Sequence, residues 1–131
     1  MRELNIVNLV CFTGKLKDNE LALHYSQASV AVIPSLYEGF GLPVLEAMAC
    51  GVPVVCTTGG ALSEIVGDAG ILVPPRNCNA LSAAISVILD NLFLAKHMTT
   101  MGLNRVRENF TWSKTAKKTL QVYKEVLIDY F

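Results

Sequence analysis

Short apolar runs rich in β-branched residues alternate with longer segments of helical period along the first half of the chain. The runs predict four strands, at residues 7–12, 30–33, 52–56 and 71–73. Because apolar residues fall on both sides of each run, these strands suit a parallel sheet covered on both faces. The alternating order predicts an α/β fold with a Rossmann-like, doubly wound parallel sheet.

The segments between the strands predict helices. The first covers residues 18–28 with Asp18 as its cap, the second covers residues 43–50 with Pro43 at its first helical position, and a short turn or helix follows at residues 61–66. Ligands of open α/β sheets bind where such helices follow the carboxyl ends of strands. The strand-to-helix turns are therefore where a site is expected.

After Pro74 and Pro75 the alternation stops and the chain is predicted to end in helices. The first of them is capped by Asn79, a second runs from residue 92 to about 108, and Ser113 caps the last. An apolar stripe on the first helix consists of Leu81, Ala84, Ile85, Ile88 and Leu89. On the last helix one face carries Ala116, Leu120, Tyr123 and Leu127, and Lys114, Lys117, Lys118 and Lys124 point largely elsewhere.

Composition excludes several classes of protein. Hydrophobic residues make up 52% of the 131 residues, which excludes disorder, and 11 basic residues balance 11 acidic ones, which gives a nucleic-acid partner no electrostatic footprint. No apolar run approaches the roughly 20 residues that span a bilayer, and residues 1–10 lack the apolar core of a signal peptide. We expect a cytosolic chain whose contact with the inner membrane face is at most peripheral, through the lysines of the last helix.

The four cysteines and two histidines predict no metal site. Cys11, Cys50, Cys56 and Cys78 are unevenly spaced without a C-x-x-C pair, and are expected to be reduced, mostly buried thiols. His24 and His97 lie on separate predicted helices without a partner at metal-ligand spacing.

Residues 34–46 carry the strongest chemical signal. Gly39 and Gly41 allow a ligand to approach the backbone, and the free amides that open the next helix direct partial positive charge outward, so the turn suits a diphosphate. Glu38 precedes the turn, and Glu46 is expected in the first helical turn, so that two carboxylates flank one crevice lined by amides. A ribose diol on Glu46 and a sugar hydroxyl on Glu38 would complete a nucleotide-sugar site. On spacing alone, the simpler interpretation is that Glu38 is a solvated loop charge and Glu46 a partner of the helix dipole.

The segment PSLYEGFGLPVLEAMACGVPVV, residues 34–55, resembles the signature of the retaining GT-B glycosyltransferases that carry an E-x7-E motif, and Glu38 and Glu46 have that separation. The likeness continues, in family order, at residues 10–14, 59–60, 63–66, 70–74 and 110–112. It covers nearly the whole chain and identifies residues 1–131 as part of the C-terminal, nucleotide-sugar-binding domain of such an enzyme.

The resemblance also implies roles for single residues. Glu46 would bind the ribose hydroxyls, and Glu38 would bind the transferred sugar as the catalytic carboxylate. The amides of the turn would bind the sugar and the diphosphate, and a second loop would lie near the base. These two groups consist of Gly39, Phe40, Gly41 and Leu42, and of Gly14, Lys15 and Leu16. Transfer would retain the anomeric configuration and use no cofactor or metal, in agreement with the absence of an Asp-x-Asp pair.

Part of the family pattern has no counterpart in the chain. The first two strands of the C-terminal domain, the Arg and Lys that stabilise the diphosphate, and the N-terminal acceptor-binding domain are missing, so the GT-B fold is incomplete. We therefore expect little or no transfer by this chain alone, and a disturbed sheet edge next to residues 7–12 that another chain could pair with. The alternative is a non-catalytic nucleotide-sugar-binding or assembly module that docks onto a separate subunit.

Other enzyme classes are excluded by missing motifs. Gly39-x-Gly41-x-x-Val44 lacks the third glycine of a dinucleotide fingerprint, and no P-loop, H-E-x-x-H or G-x-S-x-G sequence occurs. Ser35 is therefore interpreted as a turn residue. A receiver-like signalling domain needs acidic residues after an early strand, where Thr13 and Gly14 stand instead.

Overall fold

The computed structural model describes residues 4–129, with only the backbone described at residue 129. Its helices are α1 (Asp18–Gln27), α2 (Leu42–Ala49), α3 (Leu62–Val66), α4 (Cys78–Asp90), α5 (Leu92–Asn109) and α6 (Trp112–Asp129). Its strands are β1 (Ala31–Ile33), β2 (Val54–Thr57) and β3 (Ile71–Val73). The predicted α/β class is confirmed.

The three strands form one parallel sheet in the order β1-β2-β3. Ala31 lies opposite Val54, and Val55 lies opposite Ile71. All four residues of β2 are buried, because helices cover both faces of the sheet. Val54 and Cys56 pack with side chains of α2 and α3, while Val55 packs on the other face with Ala84, Ile88 and Met98 of α4 and α5.

The predicted strand at residues 7–12 is wrong. Val7–Leu9 form a single turn of 3-10 helix, closed by the bond from the Leu9 N–H to the Ile6 carbonyl. Among residues 4–129, β1 has β2 as its only neighbour, and this segment does not pair with the free edge of β1. Its apolar side chains consequently face solvent, with Leu9 81% and Phe12 79% exposed. The sheet edge that the sequence predicts to be disturbed is the free edge of β1, which has no strand on that side within residues 4–129.

Four predicted helix starts move by one or two residues. Asp18 is the first residue of α1 and not its cap, and the Glu20 carboxylate instead accepts a bond from the Lys17 N–H. Pro43 is the second residue of α2. Asn77, two residues before the predicted Asn79, caps α4 by accepting from the Ala80 N–H at 3.0 Å. The hydroxyl of Thr111, and not that of Ser113, accepts from the N–H of Lys114 in the first turn of α6.

The long final helices differ in how well they are covered. On α4, Ala84 and Ile88 are buried as the stripe predicts, whereas Leu89 is 55% exposed. The apolar face of α6 is open to solvent over its whole length, and its exposed members are Trp112, Leu120, Tyr123, Val126 and Leu127. Within residues 4–129 the face that the sequence predicts on the last helix is therefore left uncovered.

Within residues 4–129 no single helix has both the length and the hydropathy to cross a membrane. Cys78–Asp90 and Leu92–Ile128 reach that length and composition only as a pair, which is bent by 101°.

Candidate functional site

The loop that follows β1, residues 34–41, lies at the carboxyl end of the sheet and forms the wall of the candidate site. The Ser35 hydroxyl donates to Oε1 of Glu38 at 2.7 Å, and Glu38 is half-buried. Glu38 also forms a parallel β-bridge with Gly60 of the loop after β2. The loop after β1 is thus fixed against its neighbour at the residue that the sequence singles out.

The turn into α2 presents free amides, as the sequence predicts. Gly41 is the cap of α2 and has a φ of +101°, in the left-handed region where a side chain is strained. Within residues 4–129 the N–H groups of Gly39, Phe40, Gly41 and Leu42 donate to no protein acceptor. A Cβ added at Gly39 would meet nothing within 4 Å, so the backbone there is open to a ligand.

Glu46 does not lie in the first turn of α2, contrary to the prediction. Because Gly41 is the cap and Leu42 begins the helix, Glu46 is the fifth helical residue and stands in the second turn. The field of the helix dipole falls off within the first turn, so it does not explain a carboxylate at this position. Glu46 instead lies on the face of α2 that also carries Ala49 and Cys50, and this face is turned toward α1.

The two carboxylates line adjoining cavities and not one crevice, which corrects the second part of that prediction. Glu46 lines a cavity of about 240 Å³ between α1 and α2. Glu38 lines a larger one of about 410 Å³ that runs along the free edge of β1. Leu21 and Tyr25 of α1 belong to both cavities and form the wall between them.

Tyr25 connects α1 to the start of α2. Its hydroxyl donates to the carbonyl of Pro43 at 3.4 Å, and its side chain packs against the core. Burial raises the pKa of the Tyr25 phenol, and the neighbouring Glu46 and Cys50 raise it further. Nothing in the sequence indicates this role, since Tyr25 stands in an ordinary helical segment.

The three residues predicted to lie near the nucleotide base come just before α1. Gly14 has a φ of +66°, Lys15 is exposed and Leu16 is half-buried. None of the three lines the cavity of Glu46, although Asp18, the first residue of α1, does. Their predicted role therefore stays a prediction.

A third cavity opens on the other side of α2. It has a volume of about 420 Å³ and is lined mainly by apolar side chains of α2, α5 and the start of α6, with Glu46 at its border. Its aromatic members are Phe40, Phe110 and Trp112. Phe40 and Phe110 meet edge to face, with ring centroids 6.4 Å apart. Glu46 thus stands between two cavities of different character.

The part of the chain that the structure describes holds no cluster of three or more His, Cys, Asp or Glu side chains suited to a metal ion. Of the cysteines, all free, Cys56 is buried, Cys50 is half-buried, and Cys11 and Cys78 are exposed. The prediction of mostly buried thiols is therefore wrong, because Cys11 lies in the segment that joins no sheet and Cys78 opens α4 at the surface.

Comparison with known proteins decides the family. Residues 1–91 match the family described as "Glycosyl transferases group 1". The chain belongs to the group 1 glycosyltransferases. It is 42% identical to O-antigen chain mannosyltransferase B of Escherichia coli over 86% of its own length and 29% of that protein.

Solved structures agree on the fold. Sucrose-phosphate synthase from Thermosynechococcus elongatus superposes on this group 1 glycosyltransferase with a TM-score of 0.88 at 38% identity. The match covers 98% of this chain and 33% of the synthase chain. Anabaena HepE, solved in complex with UDP, gives a TM-score of 0.88 at 20% identity, over 95% of this chain and 34% of that one, and supports the fold alone. The parallel sheet and its helices match a GT-B glycosyltransferase domain. The chain spans about a third of the length of the relatives it matches.

Proposed function

We propose that this chain binds the donor of a retaining glycosyltransferase, a nucleoside-diphosphate sugar. The observation that carries the proposal is the turn at residues 39–42, which contains the left-handed Gly41 and follows the oriented carboxylate of Glu38. Its four N–H groups have no acceptor within residues 4–129. Such a row of amides suits the oxygens of a diphosphate. Membership of the group 1 glycosyltransferases supports the same chemistry.

The proposed donor runs along the carboxyl edge of the sheet. Glu46 binds the ribose hydroxyls at the cavity between α1 and α2, and the base lies toward Gly14, Lys15 and Leu16. The amides of Gly39, Phe40, Gly41 and Leu42 bind the diphosphate and the sugar, and Glu38 accepts a bond from a sugar hydroxyl. The aromatic cavity on the other side of α2 stays free of the nucleotide.

In this proposal the protein promotes transfer mainly by stabilising the leaving diphosphate. Negative charge grows on the diphosphate as the bond to the anomeric carbon breaks, and fixed N–H dipoles stabilise that charge without having to reorganise. The acceptor enters on the face that the diphosphate leaves, which retains the configuration. No metal is needed, because the amides act on the charge directly. Since the chain matches only about a third of the length of its relatives, we expect little or no transfer by the chain alone.

Calorimetric titration with UDP, GDP, ADP and their hexose conjugates tests the proposal, with Glu46→Ala as the site variant and Glu64→Ala as the control. Glu64 is an exposed carboxylate on α3, outside the cavities described above. We expect saturable binding of one base series, lost in Glu46→Ala and kept in Glu64→Ala. A folded chain that binds none of the six compounds, or equal loss in both variants, would contradict the proposal.

The only tryptophan of the chain reports which side of α2 is occupied. Trp112 is 89% exposed and borders the aromatic cavity, away from the cavity between α1 and α2. We expect its fluorescence to stay constant during a titration that calorimetry shows to be saturable. Strong quenching at the calorimetric midpoint would instead place the base in the aromatic cavity.

A second candidate function is a binding or assembly module that docks onto a separate subunit carrying the acceptor site. Two surfaces favour it: the edge of β1, which within residues 4–129 has no strand beside it, and the exposed apolar face of α6. Co-purification with a chain that supplies the remaining two thirds of a related enzyme tests this function. Transfer activity restored by that chain, with none in either chain alone, would support it.

A further inference from the structure

The carboxylate of Glu38 is held by a short hydrogen bond within its own loop. The hydroxyl of Ser35 donates to Oε1 of Glu38 at 2.7 Å, and both residues are half-buried. A bond from a hydroxyl to a charged oxygen is stronger than one between neutral groups. It therefore selects one orientation of a side chain that would otherwise sample several rotamers.

Ser35 is itself fixed by the neighbouring loop. The hydroxyl of Thr57, at the end of β2, donates to the Ser35 carbonyl and accepts a bond from the Gly59 N–H at 3.4 Å. Thr57 is 3% exposed and is the one buried polar residue among those that the structure describes. A buried hydroxyl that bonds on both sides keeps its partners at a fixed separation.

The backbone of Glu38 is fixed from the same side. The N–H of Ala61 donates to the Glu38 carbonyl at 3.0 Å, and Gly60 stands opposite Glu38 in the β-bridge. Gly60 has a φ of +66°, and a Cβ there would come within 2.9 Å of the Glu38 nitrogen. The second loop can therefore approach this closely only with glycine at position 60.

We propose that Ser35 is a positioning residue for Glu38, which it orients toward the sugar of the donor. The proposal rests on the proposed function, in which Glu38 accepts a bond from a sugar hydroxyl. A carboxylate has about four lone-pair sites, and Ser35 occupies one of them on Oε1, which leaves Oε2 free for the ligand. Because the free carboxylate already has its bound orientation, less rotamer entropy is lost on binding.

The test compares the affinities for UDP and UDP-glucose, and for GDP and GDP-mannose, in the full chain and in Ser35→Ala. The sugar preference is the ratio of the two dissociation constants within a pair. We expect Ser35→Ala to lower the preference about three- to tenfold, the ordinary net worth of one hydrogen bond, and to leave the affinity for the nucleoside diphosphate unchanged. Ser63→Ala, which removes an exposed hydroxyl on α3, serves as the matched control.

A double mutant separates positioning from a general loss of structure. If Ser35 acts through Glu38, Ser35→Ala lowers the preference no further in a Glu38→Ala background. The proposal would be overturned if the two substitutions lowered the sugar preference additively. It would also be overturned if Glu38→Ala abolished the sugar preference while Ser35→Ala left it unchanged. Ser35→Cys retains the shape of the side chain with a weaker donor, so it should fold and show an intermediate preference even if Ser35→Ala unfolds.

NMR couplings across the Glu38 side chain supply a measurement that needs no ligand. We expect one χ1 rotamer in the full chain and in Ser63→Ala, and averaged couplings in Ser35→Ala. Averaged couplings in the unsubstituted chain would overturn the positioning role whether or not nucleotides bind. A single Glu38 rotamer in a chain that shows no sugar preference with either pair would instead reject the sugar-binding role of Glu38, and the role of Ser35 with it.

Discussion

Arg105 on α5 donates from Nε to the backbone carbonyl of Ile65, at the end of α3, across 2.6 Å. Its Nη2 donates to the carbonyl of Glu64 at the same distance, and the guanidinium lies 5.9 Å from the ring centroid of Phe110. The last carbonyls of a helix have no partner within it, and α3 is only five residues long. The rigid fork of an arginine from another helix therefore completes α3 at its carboxyl end.

Replacing Arg105 by methionine should lower the free energy of unfolding by about 2 kcal/mol, because two carbonyls lose a charged donor. Arg107→Met is the control, since Arg107 is exposed on the same helix. Urea denaturation followed by circular dichroism measures both variants. Equal changes in the two would mean that the contacts to α3 contribute nothing.

Gly102 allows α5 to approach α2 closely, and a larger residue there should separate the two helices. A Cβ at this position would lie 3.1 Å from Cγ of Met48, which is 1% exposed. We expect Gly102→Val to destabilise the chain by about 2 to 3 kcal/mol through overpacking. Asn104→Val places the same side chain at an exposed position of α5 and should change the free energy of unfolding by less than about 0.5 kcal/mol.

The buried thiol of Cys56 predicts a loss of stability in alkali. Burial raises its pKa from 9.0 to about 11, so the unfolded chain releases this proton near pH 9 while the folded chain still holds it. The stabilisation is therefore complete below pH 9 and is lost as the pH rises toward 11, with a total on the order of 2 kcal/mol. Cys56→Ala should flatten the slope of unfolding free energy against pH in this window. Cys78→Ala removes an exposed thiol and should leave the slope as it is.

The exposed face of α6 should contribute almost nothing to the stability of this chain. Leu127 is 60% exposed, and its replacement by glutamine is expected to change the free energy of unfolding by less than about 0.5 kcal/mol. Ile88 of α4, 2% exposed, is the comparison, since truncation to alanine should cost about 2 to 5 kcal/mol. Thermal melts at several protein concentrations measure both variants and show whether the effect of either depends on self-association. A large loss in Leu127→Gln that is present at high protein concentration and disappears on dilution would show that α6 is covered by a second copy.

The sequence predicts the elements of this fold better than it predicts their partners. Residues 71–73 form a strand with the bounds expected, but residues 7–12 carry an equally apolar pattern and form none. A strand forms only when it pairs with a neighbour, and local composition does not report whether a segment reaches one. Helix caps fail for a related reason, since Asn77 and Asn79 have the same propensity and the path of the chain into α4, through a positive φ at Arg76, selects between them.

In the candidate site, too, the sequence predicts the features that depend on nearby residues and misses those that depend on distant ones. Glycines and carboxylates at fixed spacing indicate the turn into α2, because each of those residues acts within a few positions of its neighbours. For Ser35 the sequence predicts only a turn, and for Thr57 it predicts no role, since the bond from Thr57 to the Ser35 carbonyl joins residues 22 positions apart. The separation of Glu38 and Glu46 into adjoining cavities likewise depends on Tyr25, which reaches the site from α1.

The consecutive order of the three strands also bears on how the chain folds. Ala31 lies opposite Val54 and Val55 opposite Ile71, so neither ladder closes a loop of more than about two dozen residues. Pairing strands that are consecutive in the sequence costs less chain entropy than pairing strands from distant parts of the chain. The three strands can therefore pair in the order in which a ribosome makes them, since each new strand joins the one made just before it.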